Sequence, residues 1–266
     1  MTRPIQPAAL FRRLALSTCL LIGLPWTPRC LAADGDPPSY AVGAGMERMA
    51  AWPGARDARN QPIPFIDIEI PDHLSLSTLD GLQLDLIGGP VLHGGLYGDY
   101  QWGRDSGDLG ALRGRIAPLS PRLTAGGYLE WQLTKQVDVG TDLSHDTDGA
   151  GLYLDAYGEW NLPSVWLLQH SLELRWQAMN GAAMNRFFGI APSQADALAV
   201  PAWRPGAGSQ SASLEYDLFV PTSQHTGLAL ALSWERLLGS AGDSPLVTRF
   251  GARNRPSESL AFVCHF

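Results

Sequence analysis

Lysine is nearly missing: Lys135 is the only one in 266 residues, so arginine supplies almost all of the positive charge. Cysteine is scarce too, with Cys19, Cys30 and Cys264. The first two fall in an N-terminal segment expected to be removed, which leaves Cys264 alone. One cysteine excludes an intrachain disulfide and a cysteine-based metal site. The six histidines lack metal-ligand spacing, and there is neither a Gly-rich phosphate loop nor a fixed-period repeat. No metal and no cofactor are expected. The longest apolar run lies near the start, and the remainder offers no stretch of the length a membrane-spanning helix needs.

That run, "LALSTCLLIGLPW" at 14–26, follows Arg12 and Arg13 and precedes the small residues Ala32 and Ala33. A basic start, a short apolar stretch and a small-residue cut site read as a secretory signal peptide over residues 1–33. A transmembrane anchor would need about 20 apolar residues, and Pro25, Pro28 and Arg29 interrupt this one. Cleavage would leave 15 bases against 26 acids over residues 34–266, a formal charge of −11. Such an acid excess argues against nucleic acid as a partner.

What the rest of the chain does have is alternation. In "LTAGGYLEWQL", Leu123, Ala125, Gly127, Leu129, Trp131 and Leu133 share one face, while Thr124, Tyr128, Glu130 and Gln132 share the other. Period two over ten residues is the mark of a half-buried strand. The same pattern predicts strands at 40–48, 62–70, 73–79, 82–88, 93–104, 121–133, 137–145, 150–162, 166–179, 207–220, 225–238 and 257–266. Connections alternate between short turns (71–72, 89–92, 134–136, 163–165, 221–224) and a series with long loops (49–61, 105–120, 180–206, 239–256). Two members of the second series are tight, at Asp80-Gly81 and Asp148-Gly149, both favourable hairpin dipeptides.

Short turns on one rim and long loops on the other characterise a closed antiparallel transmembrane β-barrel. Twelve strands fit, or ten if 73–88 is one irregular strand. Trp131, Trp160 and Trp166 lie beside short turns, and Trp102, Trp176 and Trp234 toward the long loops, as two interfacial girdles require. A soluble sandwich would also alternate, but would not sort its loops by length. Both termini then fall on the short-turn rim, with the long loops facing the cell exterior.

The chain ends in "SESLAFVCHF", 257–266. A barrel must pair its last strand with its first, because an open edge in lipid leaves backbone groups unsatisfied. Leu260, Phe262, Cys264 and Phe266 would face lipid. Phe262 and the final Phe266 resemble the signal by which outer-membrane assembly machinery recognises its clients.

Inward positions collect acids, among them Glu130, Asp138, Asp155, Glu159, Glu215 and Asp217, with Arg175 the clearest inward base. Two readings stand: a cation-preferring passage, or a hydrogen-bonded filling that stiffens a narrow barrel. Ser144-His145 and His170-Ser171 could suggest a hydrolase. Neighbours on a strand point to opposite faces, however, so neither pair can act as nucleophile and base. No enzymatic activity is expected.

"RLLGSAGDSPLVTRFG", 236–251, resembles the C-terminal motif of the MipA/OmpV family of Gram-negative outer-membrane barrels. Leu237, Leu238, Gly239, Asp243, Ser244, Pro245, Leu246 and Val247 carry the match. "WPGARDARNQPIPFIDIEI" at 52–70, "GRD" at 103–105 and "RFFGI" at 186–190 resemble further family segments in the right order. Ser240 and the ending Cys264-His265-Phe266 depart from the usual pattern. The resemblance implies an outer-membrane location, contact with its lipid, and a scaffold role. That scaffold would join a murein lytic transglycosylase to a murein synthase through the periplasmic rim, for which Arg122, Lys135 and Arg204 are candidate bases. Other members are described as adhesins or antibiotic-responsive proteins. For the 237–245 motif the expectation is a structural loop, with Asp243 accepting backbone N–H bonds and Pro245 turning the chain away from the wall.

Overall fold

The computed structural model describes residues 38–78 and 81–266. The expected signal segment and Asp80 of the predicted 80–81 turn lie outside the described residues. Twelve antiparallel strands close into one barrel: β1 Ser39–Ala50, β2 Ala58–Ile70, β3 Leu74–Ser77, β4 Gly81–Ile87, β5 Leu92–Gln101, β6 Arg122–Gln132, β7 Val137–Asp146, β8 Leu152–Asn161, β9 Gln169–Met179, β10 Gly208–Pro221, β11 Thr226–Leu237 and β12 Asn254–His265. The count is twelve rather than ten because β3 and β4 pair as a separate short hairpin, Ser77 opposite Gly81 and Leu74 opposite Leu84.

Closure runs through β1 and β12, from Ala41 opposite His265 to Arg48 opposite Glu258. The Phe266 N–H extends it by donating to the Tyr40 carbonyl at 3.0 Å. Every strand thus has two neighbours and no edge is left for lipid to meet. Parity decides which side chains face out. On β12, Ser259, Ala261 and Val263 are buried, while Leu260 and Phe262 are exposed, and so is Phe266 beyond the strand. Leu96, Leu123, Leu129, Leu174, Leu214 and Leu232 continue this belt around the outside. An apolar surface of this extent is built for contact with something other than water. No helix among the described residues is long and apolar enough to cross a membrane; the strands carry that belt instead.

The long connections are not plain loops. The β9–β10 connection folds into helices α1 Gly181–Phe188 and α2 Pro192–Leu198, and the β11–β12 connection into α3 Gly239–Gly242 and α4 Pro245–Phe250. Asn180 caps α1, its side-chain oxygen accepting from the Ala183 N–H at 2.9 Å. Pro192 opens α2, and Gln194 reaches back to the Ala191 N–H at 2.9 Å. Both are standard helix starts. The segments pack into the barrel mouth, where Met184, Phe187 and Phe188 join Leu237, Ala241 and Val247. Beside them Trp52, Leu109, Leu112, Ile116, Ile190, Leu198 and Leu246 form a second apolar cluster. One further contact crosses from the first long loop to the last: Ala55 bridges Gly251, with the Ala252 N–H donating to the Gly54 carbonyl at 2.9 Å.

Candidate functional site

Three places collect the residues singled out from sequence: the lumen, the mouth and the short-turn rim. In the lumen, register aligns acids across four successive strands. Asp138 on β7 faces Glu159 on β8, Glu159 faces Glu173 on β9, and Glu173 faces Glu215 on β10. Asp217 lies two positions along β10, opposite Ser171. Like charges directly across a sheet oppose folding, and one cation lies beside the row. Arg175 is that cation. Its Nε–H donates to Glu173 Oε1 at 2.6 Å and an Nη2–H to Oε2 at 2.9 Å, a bidentate clamp. Its Nη1 lies 3.6 Å from Asp155 and 4.0 Å from Asp142.

The clamp is part of a longer network. The Arg175 guanidinium stacks 4.6 Å over the Tyr157 ring, and the Tyr157 hydroxyl donates to Glu130 at 2.7 Å. Gln177 donates to Asp155 at 2.6 Å and accepts from the Ser211 hydroxyl at 3.0 Å. Gly140 lies where a Cβ would collide with the Tyr157 ring, so the absence of a side chain there makes room for the stack. Of the six carboxylates named from sequence, Asp138, Glu159 and Asp217 are buried and Glu130, Asp155 and Glu215 are half-buried. Asp138, Glu159 and Glu215 share the acid row, while Glu130 and Asp155 belong to the Arg175 network. Toward the short turns, the lumen ends in an apolar layer of Ala41, Phe65, Phe219, Ala229, Ala261 and Val263.

At the mouth, the 237–245 segment departs from its expected geometry. Asp243 forms an ion pair with Arg253 rather than accepting backbone N–H groups. Ser244 does the capping: its hydroxyl oxygen accepts from the Leu246 N–H at 3.3 Å and donates to the Phe188 carbonyl at 2.7 Å. Ser244 is 0% exposed, as befits a hydroxyl joining two loops. Pro245 does not steer the chain away from the wall. It opens α4 and is buried, so it turns the chain inward. Leu237 is buried at the end of β11, the Leu238 N–H donates to the Gln210 carbonyl at 2.7 Å, and Gly239 takes a φ of +44° that suits glycine.

The remaining candidates sort by rim. Lys135 lies in a short turn, but Arg122 and Arg204 lie at the long-loop rim. The strand direction reverses there: β6 begins at Arg122, opposite Gln101 at the end of β5. Arg122 pairs with Asp146 at 2.6 Å. Ser144 and Ser171 are buried inward, whereas His170 bonds the Tyr216 hydroxyl and the Pro163 carbonyl, each at 3.1 Å. Both Ser-His pairs are therefore split between faces. The short-turn rim also presents Val165, Trp166 and Leu167, with Trp166 97% exposed and held at a φ of +59°.

A family model described as "MltA-interacting protein MipA" matches residues 42–266. No curated protein matches the chain. Solved structures of similar outline include a "Bacterial polysaccharide outer membrane secretin" at 8% identity and TM-score 0.41, covering 85% of this chain and 97% of that one. The NanC porin follows at 8% identity and TM-score 0.38, covering 85% and 98%. The outer membrane protein OprD of Pseudomonas aeruginosa has 11% identity and TM-score 0.34, covering 84% and 65%. At such values these likenesses say nothing of substrate or partner.

Proposed function

The chain belongs to the family of the MltA-interacting protein MipA and is an outer-membrane barrel protein, and from that premise we propose that it is a scaffold without a reaction of its own. It would sit in the outer membrane of a Gram-negative cell, short turns toward the periplasm, and hold a murein lytic transglycosylase there, with a murein synthase as a further partner.

The observation that supports this reading is a lumen covered by packed side chains at both ends, with a cavity of about 200 Å³ left beneath the mouth. Apolar clusters pack the mouth and an apolar layer narrows the opposite end, with the Arg175 network between them. A barrel of this kind offers surfaces, where a channel would offer a wet path. The acid row would favour a cation-preferring passage only if the mouth opened. On the short-turn rim, Trp166 is the side chain best suited to anchor a partner, since tryptophan is enriched among the few residues that carry most of the binding energy at interfaces.

The test is capture of a purified MltA-type transglycosylase by the native barrel in mild detergent. Capture by the wild type, and a loss of about tenfold in affinity in Trp166→Ala, is expected for an aromatic anchor. A barrel that is natively folded yet captures no transglycosylase would rule the scaffold reading out. Stepwise cation conductance across planar bilayers would instead favour the passage.

A further inference from the structure

A second site lies at the opposite rim, independent of the scaffold reading. Between the β5–β6 connection and the α1–α2 segment is a cavity of about 500 Å³ lined by Arg104, Asn185, Arg186, Ile190, Trp203 and Arg204, among others. No Asp or Glu contributes to its wall. In a chain with more acids than bases, a cavity whose charges are all guanidinium is a local reversal of sign.

No carboxylate pairs with these arginines: among the described residues, none of the three forms an ion pair. Arg104 is 5% exposed and spends its hydrogen bonds on carbonyls, Nη1 to Phe187 at 3.1 Å and Nε to Ala117 at 3.4 Å. Arg186 donates through Nη2 to the Ser120 carbonyl, lies 4.9 Å over the Phe187 ring and interacts with the Tyr153 hydroxyl, while its Nη1 is buried without a hydrogen-bond partner. Burial, with Arg186 adding like-charge repulsion, brings Arg104 down to about 10, so it remains cationic at neutral pH. A buried cation that meets only carbonyls bears a desolvation cost that a bound anion would offset.

The geometry points to a binding site for a small oxyanion, a carboxylate or phosphate group held by Arg104 and Arg186, with Arg204 at the entrance. Arginine matches the planar or tetrahedral oxygens of such groups through paired N–H bonds. The volume fits a small-molecule site. Ile190 and Trp203 supply an apolar wall, fixed by backbone bonds between them of 2.8 and 3.0 Å and by the Trp203 indole N–H donating to the Ser240 carbonyl at 3.2 Å. A ligand with an anionic head and an apolar body suits this lining. Its source is either a soluble organic anion or the headgroup of a lipid.

Calorimetry on the full barrel in dodecyl maltoside separates the outcomes, with sodium citrate and sodium phosphate as soluble probes at matched ionic strength. Micelles doped with phosphatidylglycerol, against phosphatidylcholine, form the lipid arm. Saturable one-site binding is expected, weakened about tenfold in Arg186→Gln, the loss of one charge-assisted pair. Arg204→Gln replaces an exposed side chain, keeps the fold, and should weaken binding about threefold through lost long-range attraction. Binding to the soluble probes assigns a soluble ligand, and binding to phosphatidylglycerol alone assigns a lipid headgroup. Absence of saturation by about 10 mM, beyond the millimolar range of weak recognition, overturns the site. So does an affinity unchanged in both variants.

Discussion

In the middle of the lumen, acids from four strands stand in one row and a single arginine binds the nearest of them. At the mouth, loops bring Phe188 and Val247 into one buried apolar cluster and Leu246 into a second beside it. Both lie within the same cylinder. The first relies on directional charge pairing, in which removing one partner is far worse than never having the pair. The second relies on apolar area and close packing, in which loss scales with the volume removed. A barrel can thus be stiff where its wall must be polar, and sealed where its loops are free to be apolar.

The most severe test of that division is Arg175→Met. It should cost about 3–5 kcal/mol, because Glu173 and Asp155 lose the cation that offsets their burial. Adding Glu173→Gln to it should recover part of the loss. Both are read from urea unfolding of the folded barrel in detergent. A cost below that of any mouth variant would mean that water, not Arg175, offsets the acids. Next comes Leu246→Ala, which removes fully buried volume and should lower stability by about 2–4 kcal/mol. The readout is the temperature at which the compact gel band converts to the unfolded one.

Smaller effects separate two neighbours in the same motif. Ser244→Ala should cost about 1–2 kcal/mol, through a lost cap and a buried Phe188 carbonyl left unpaired. Asp243→Ala should cost less than about 0.5 kcal/mol, since its pair with Arg253 is well exposed and screened. If the order of these two is reversed in the same melting assay, the hydroxyl does not join the loops. Deletion of Phe266, 78% exposed, should change melting least of all. Its expected effect is instead a lower yield of barrel in outer-membrane fractions. A normal yield would remove the assembly role proposed for Phe262 and Phe266.

The wall was readable because parity is local. Each strand declares its inward face within about ten residues, so β6, β8 and β11 fall within two residues of the predicted spans. The ends were harder. β12 starts at Asn254 and β2 at Ala58, beyond the apolar alternation, since those extensions rise above the lipid belt and carry polar residues on both faces. The mouth helices were missed although signals existed: Asn180 as a cap, and Met184 and Phe188 four apart on one helix face. What sequence alone could not supply was the meeting of loops far apart in the chain. Ser244 touches Phe188 across 56 positions, and nothing near Ser244 announces it. Asp243, the more familiar turn residue, drew the assignment instead. The cavity arginines were hidden for the same reason, for Arg104 and Arg186 come from different connections.

The bridge between Ala55 and Gly251 bears on how long the barrel lasts once made. A closed sheet has one seam where the two ends of the chain meet, and unzipping begins there. Here the loops on either side of that seam are buttoned together at the top, with the Arg56 guanidinium also donating to the Gly251 carbonyl at 3.2 Å. The seam cannot part without first pulling a knot of buried side chains out of the mouth. Contacts between loops so far apart in the chain are expected to form after the folding transition state and so to break first on opening, which lengthens the lifetime of the native state more than it speeds its formation. The expected mark of this fastening is an unfolding rate that rises steeply in Gly251→Val while the refolding rate hardly moves.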